Sequence, residues 1–300
     1  MVPLHLAWQY FPKREGLISG IVVGGFGLGG FIFGVISTSI VNPENHQMPF
    51  PDHVIQNVPF MLQALAYRFT IILIFALILI PKEPDLQTYH YDDDTQTLIS
   101  KSAPDVVNFS SIFKYLKTKQ FVTIFAMNFL SIFFGTYIVG SYKNYGEKTI
   151  HDEKYLTLVG AIASVAGVLR FGWSFLIDHY SYKMVYGILI CLQIILAFSF
   201  PLVAESKPLF GTWVSLTYFT EGGHFTLVPA IIQKLFGNEG SRVFGWAFSF
   251  IGIASLVKIV MLELFFEKVG FDGFLYGYGG FCVISLLILV VIFEEKEVEI

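Results

Sequence analysis

Eight stretches of this chain are long and apolar enough to cross a lipid bilayer, and that decides most of what it can become. They fall at about 17–40, 58–81, 119–141, 154–178, 182–204, 209–233, 241–266 and 271–293, each near the roughly 20 residues that a bilayer core demands. Hydrocarbon offers no water to bare peptide groups, so spanning segments of this length fold as helices that satisfy their own hydrogen bonds. The expected fold class is therefore all-α, a polytopic membrane helix bundle. Composition agrees, with 54% hydrophobic and 14% charged residues against about 25% charged in soluble domains.

One long polar break, 82–118, interrupts the series and contains the acidic run Asp92, Asp93, Asp94. It divides the chain into a two-span region (1–81), a loop (82–118) and a six-span region (119–300). Lysine and arginine mark the cytoplasmic side of membrane proteins. One set of ends carries Lys13, Arg14, Lys82, Lys101, Lys114, Lys117, Lys119, Lys183, Lys234, Arg242 and Lys296; the other carries only Lys143, Lys148, Lys154, Lys207 and Lys268. The long loop and the C-terminus are therefore predicted to be cytoplasmic in an integral, multi-pass protein.

Several functions are disfavoured. A net charge of -4 points to no nucleic-acid partner. Cys191 and Cys282 lie in apolar runs and suggest neither a disulfide framework nor a zinc site. The histidines, His5, His46, His53, His90, His151, His179 and His224, are scattered without metal-ligand spacing. There is no nucleotide-binding loop and no catalytic triad, so neither an enzyme nor a cofactor is expected.

The first span, GLISGIVVGGFGLGGFIFG, pairs Gly20 with Gly24, Gly25 with Gly29 and Gly30 with Gly34, each four apart. Small residues at that spacing let two helices approach closely in lipid, either as static packing or as a sliding contact. The approach to it, WQYFPKREG, has Trp8, Phe11, Pro12, Lys13, Arg14 and Gly16. It resembles the entry to the fifth helix of the major facilitator superfamily, closest to its oxalate/formate antiporter and monocarboxylate transporter branch. The run EGGHFTLVPAIIQKLFG (221–237) is similar to the same branch's tenth helix. Arg170, Asp178 and Lys183 match the signature loop between the eighth and ninth helices, with Ser174, His179 and Ser181 at its other positions. The resemblance implies the superfamily fold of twelve helices in two halves, of which about eight are represented here, starting near the end of the fourth. It also implies a monomer.

Arg170 is the sharpest residue in the chain. A mid-span arginine costs roughly 2.5–3.5 kcal/mol on insertion scales and stays charged, so it must face protein, water or a counter-ion. The alternative role for Arg170 is to pair with Asp178 or to cap a carbonyl at the cytoplasmic end; Asp178 is about 12 Å farther along the same helix, which disfavours direct pairing, and is itself read as structural. The guanidinium fork matches a carboxylate, and the resemblance gives an arginine here the role of gripping a small organic anion. Lys258, on the eleventh helix, is a second candidate ligand, with snorkelling or a contact to Glu263 as the alternatives. The resembled branch often has an acid four residues before the arginine, but Ala166 stands there. Glu221 and His224, on nearly one helical face, are the substitute candidates for proton coupling, and Gly222 and Gly223 between them are expected to soften the helix. Arg68 is assigned to a neighbouring helix or headgroups. Asn128, Tyr137, Trp173 and Tyr218 are possible cavity liners.

These observations predict a secondary transporter of small mono- or dicarboxylates such as oxalate, formate, lactate or pyruvate, working by alternating access, with the proton as a possible second partner. A non-transporting membrane scaffold, sensor or partner subunit on the same fold is the alternative left open.

Overall fold

The computed structural model describes residues 15–44, 46, 51–79, 109–296 and 298. Helices dominate: α1 (Glu15–Val41), α2 (Asp52–Leu79), α3 (Phe109–Leu116), α4 (Lys119–Thr149), α5 (Glu153–Val168), α6 (Phe171–His179), α7 (Tyr182–Val203), α8 (Lys207–Phe236), α9 (Gly240–Ala247) and α10 (Ser249–Val291). No strand occurs among the described residues. The entry motif from Trp8 to Arg14 and most of the predicted loop, including Asp92 to Asp94, lie outside them. The short α3 falls inside that predicted loop and packs on α4 and α9.

Each predicted span coincides with helix, and local chemistry sets the boundaries. Thr118, Asp152 and Ser181 precede α4, α5 and α7, and their side chains accept from Phe121 N, Tyr155 N and Met184 N. These oxygens satisfy first-turn amides that have no intrahelical partner. By length and apolarity five helical stretches qualify as spans: 52–79, 119–149, 153–179, 182–203 and 242–291. The last is about 75 Å of helix at 1.5 Å per residue, more than twice the roughly 30 Å hydrocarbon core. It is broken at Gly270, whose φ of 65° and ψ of -166° are open to glycine and strained for other residues. The break falls in the gap that separates the last two predicted spans.

α8 has full spanning length, 30 residues, but is not among the most apolar helices. Thr217, Thr220, Glu221, His224 and Thr226 are buried within it. A helix with polar groups facing protein on several sides is suited to the bundle centre. α8 packs against α1, α4, α5, α6, α7 and α9, whereas α2 rests chiefly on α1. α1 lies across α5, α6 and α8. The glycines proposed for close packing all lie in α1, and a Cβ at Gly25, Gly29, Gly30 or Gly34 would meet nothing within 4 Å among the described residues. Close approach falls elsewhere: a Cβ at Gly223 would overlap Leu189 and come within 3.2 Å of Trp173.

Among the described residues, basic residues of the two sets find separate partners. Lys119 pairs with Glu294 at 3.1 Å and Lys234 with Glu295 at 2.7 Å. Lys183 Nζ donates to the Val290 and Phe293 carbonyls at 3.0 and 3.4 Å, which complements the C-terminal end of α10. At the other end Lys207 meets Asp152 at 2.5 Å, and Tyr145 donates to Asp272 at 2.5 Å. The hydrogen bond from Lys207 holds the Asp152 carboxyl below its usual range, and those from Lys119 and Lys296 do the same for Glu294. A depressed folded-state value means that these contributions are present above the ordinary carboxylate range and lost as pH falls through the lower one. Both sites are exposed, so each contribution is small.

Two glycine substitutions separate backbone need from mere presence. Gly270→Ala is expected to destabilise the protein by about 1–3 kcal/mol through strain, while Gly30→Ala stays within about 0.5 kcal/mol of neutral or gains. Thermal unfolding of both variants in detergent checks the contrast.

Candidate functional site

Three charged side chains converge from separate helices. The span formed by α5 and α6 loosens at Leu169 and Arg170, where three-residue hydrogen bonds take over, including Leu169 N to Ala166 O at 3.1 Å and Arg170 N to Gly167 O at 3.4 Å. Such a tight turn inside a long helix is a common mark of a functional position. Arg170 thus sits at a break rather than within a regular helix, as the sequence alone implied. It is 8% exposed. Its Nε donates to Gly167 O at 2.5 Å, and its guanidinium carbon lies 5.8 Å from the Phe225 ring centroid, within cation–π range. Among the described residues no carboxylate pairs with it directly, and its two terminal nitrogens make no hydrogen bond.

Glu221 sits halfway along α8 and is 7% exposed. A Cβ on Gly135 of α4 would overlap its carboxylate, so the missing side chain makes the space that the acid fills. Arg170 and Lys258 both act on Glu221 through charge, although neither forms an ion pair with it among the described residues. Lys258 reaches in from α10 and donates to Thr136 O at 3.0 Å, one residue from Gly135. It therefore neither snorkels outward nor contacts Glu263.

α8 runs unbroken through Gly222 and Gly223. Both provide clearance: a Cβ at Gly222 would lie 2.9 Å from Arg170 Cβ and 3.1 Å from its Nε.

His224, one turn beyond Glu221, also faces α4, and no hydrogen bond joins the two side chains. His224 Nε2 shares a 2.7 Å hydrogen bond with Ser131 Oγ, which lies 2.8 Å from Tyr186 OH. Ser285 donates to Met127 O at 2.9 Å, and Asn128 Nδ2 approaches Tyr182 OH at 3.5 Å. Buried Glu221 Oε2, His224 Nδ1, Asn128 Oδ1 and Gln193 Nε2 have no partner among the described residues. Polar atoms so enclosed call for water or a ligand. Ser131 and Tyr186 were missed in the sequence; the only signal was an isolated hydroxyl in each apolar run. Tyr137 and Trp173 belong to packing, the former against Tyr278 at 5.3 Å between centroids and the latter donating to Phe219 O at 3.1 Å.

The remaining residues lie apart from this centre. Asp178 is exposed near the end of α6, and Lys183 serves the end of α10. Arg68 is exposed on α2. An apolar groove of about 560 Å³ opens between α5 and α8, lined by Tyr155, Val159, Ile162, Gly211 and Leu216. It contains none of the charged residues and has no chemistry of its own. The expectation that the histidines lie apart fails at one place, the connection from α1 to α2, where Glu44, His46 and His53 come together.

A helical membrane bundle with buried cations at a broken span agrees with what the sequence profiles show. The profile of the Major Facilitator Superfamily matches residues 6–257, and the chain belongs to that family. It is 24% identical over 313 aligned positions to the apicoplast pyruvate carrier 1 of Toxoplasma gondii, covering 90% of this chain and 57% of that protein. It is also 24% identical over 258 positions to the oxalate:formate antiporter of Oxalobacter formigenes, covering 85% and 56%. The chain thus spans a little over half the length of these relatives.

Ser131 anchors His224 and Tyr186 together, so Ser131→Ala leaves two buried groups short of a partner. The expected loss is about 1–2 kcal/mol, read as a lowered unfolding midpoint in detergent, with Tyr186→Phe losing less.

Proposed function

We propose that the protein carries small organic anions, mono- or dicarboxylates of the pyruvate, lactate, formate and oxalate type, across a membrane by alternating access. One observation carries the reading: Arg170 is buried inside the 153–179 span with its terminal nitrogens unclaimed by any described carboxylate. A buried guanidinium with spare donors is costly unless something anionic visits it. Lys258 adds a second cation beside the same carboxylate, Glu221. The names of the two relatives, a pyruvate carrier and an oxalate:formate antiporter, support the substrate class.

The charge arrangement suggests how a proton couples to the anion. Arg170, Lys258 and ionised Glu221 sum to one positive charge, which suits one carboxylate. Protonating Glu221 removes its competition for the two cations and strengthens anion binding. By linkage, a bound anion favours the protonated acid equally. His224, in its hydrogen-bonded setting with Ser131, is the neighbouring group that exchanges this proton. α1 lies across α5, α6 and α8, the helices that carry Arg170 and Glu221. The signature loop residues Asp178 and Lys183 hold one conformation at the end predicted to be cytoplasmic.

Uptake of labelled pyruvate and oxalate into vesicles containing the protein tests this. Arg170→Gln is expected to lose uptake at least 30-fold, the equivalent of about 2 kcal/mol. Glu221→Gln is expected to keep uptake but lose its rise as the external pH falls from 7.5 to 5.5. Unchanged uptake in Arg170→Gln removes the anion-site reading, and an unchanged pH response in Glu221→Gln removes the coupling role.

A further inference from the structure

We propose that Glu44, His46 and His53 form a binding site for a divalent transition-metal ion of the zinc type at the connection between α1 and α2. The three side chains each offer a ligand atom, and these atoms all lie within 4.8 Å of one another. His46 Nε2 already stands 2.8 Å from Glu44 Oε2, and the His46 and His53 rings meet edge to face at 5.2 Å between centroids. Tetrahedral zinc at bonds of about 2.0–2.1 Å holds its donors roughly 3.3 Å apart. The set must therefore close by about 1.5 Å at its widest, within the reach of side-chain torsions. Glu44 is free to supply that movement, with its side chain 73% exposed.

Hydrogen bonds hold the backbone at His46 and join α2 to the end of α1. Asn42 clamps His46 from both sides, donating through Nδ2 to His46 O at 2.9 Å and accepting from His46 N at 2.8 Å. Asn57 Nδ2 donates to Val41 O at 3.2 Å, tying the first turns of α2 to the end of α1. Val54, next to His53 in α2, is 3% exposed. His53 is thereby presented from α2 to two ligands that the connection supplies.

The donor set selects the class of ion. Two imidazoles and one carboxylate suit zinc, copper(II) or nickel(II), whereas calcium and magnesium need more oxygen ligands than the cluster has. Three protein ligands leave a fourth position for water or an anion. The metal replaces the hydrogen bond between His46 and Glu44 and links α2, which rests chiefly on α1, to the end of α1. It therefore acts as a staple on that helix pair. Metal and proton compete for the same imidazole nitrogen, so affinity falls toward acid pH. The inference is independent of the transport reading, since none of the three residues belongs to the anion site.

Zinc chloride added to the purified, tag-free protein in detergent provides the test, with bound metal measured by equilibrium dialysis at pH 7.4 and 5.5. One zinc per chain is expected at pH 7.4. Affinity should fall at least tenfold at pH 5.5 and at least tenfold in each of His46→Ala, His53→Ala and Glu44→Gln. Zinc should also raise the unfolding midpoint of the wild type and not of His53→Ala, while magnesium changes neither. All three positions lie at the surface, so the variants are expected to unfold like the wild type without metal. Absence of binding to the wild type overturns the proposal, and so does equal zinc affinity in the double variant of His46→Ala and His53→Ala.

Discussion

A guanidinium that cannot lose its charge, held where water is scarce, is the constraint around which this bundle is arranged. The helix that carries Arg170 gives up regular hydrogen bonding at that residue, and the Gly167 carbonyl accepts from both Arg170 N and Arg170 Nε. Phe225 offers a ring face to the cation. Gly222 omits a side chain that would collide with the arginine stem. Each concession solves part of the desolvation problem, and none supplies a full counter-charge. Glu221 moderates the field without closing an ion pair, which keeps the terminal nitrogens available. An arginine tied into a bidentate pair would be structurally cheaper and functionally silent.

The same logic explains the company that α8 keeps. It is central in the bundle, and its buried threonines, acid and imidazole would be unfavourable against lipid. Glycines on α4 and α8 create the room for them, and the hydroxyls of Ser131 and Tyr186 provide partners. Several enclosed atoms still lack one among the described residues. Such incomplete satisfaction is common where water or substrate must enter and leave. α1 and α2 contrast with this interior. Both are apolar, both show much of their surface, and α2 depends on α1 for contact.

Helix existence and approximate limits were legible because apolarity over about 20 residues has one stable outcome in a bilayer. Even the turn at Gly270 fell in the expected gap, since a continuous helix from 242 to 291 would overshoot the membrane. Arg170, Glu221 and Lys258 were legible as candidates because charge in an apolar run is conspicuous. Their convergence was not, since it depends on Gly135, four helices of packing and the loosened turn at Leu169. The clearance that Gly222 and Gly223 provide escaped the sequence for a related reason: sequence shows that glycine is flexible, whereas only packing shows what a Cβ would meet. The α1 glycines illustrate the reverse, a close-packing motif whose Cβ positions at Gly25, Gly29, Gly30 and Gly34 face open space here. The meeting of Glu44, His46 and His53 also escaped notice, because His53 is brought to the other two by the return of the chain into α2.

Equilibrium binding to the purified protein, free of any transport step, puts the central claim to its most direct test. Labelled pyruvate would be competed against unlabelled pyruvate and against its uncharged amide. The account predicts that the carboxylate competes at least tenfold better than the amide in the wild type, in keeping with a charged hydrogen bond of about 1.5–3 kcal/mol. In Arg170→Gln that preference should disappear, leaving two weak and equal competitors. An undiminished preference for the carboxylate in Arg170→Gln would place the anion elsewhere and contradict the account.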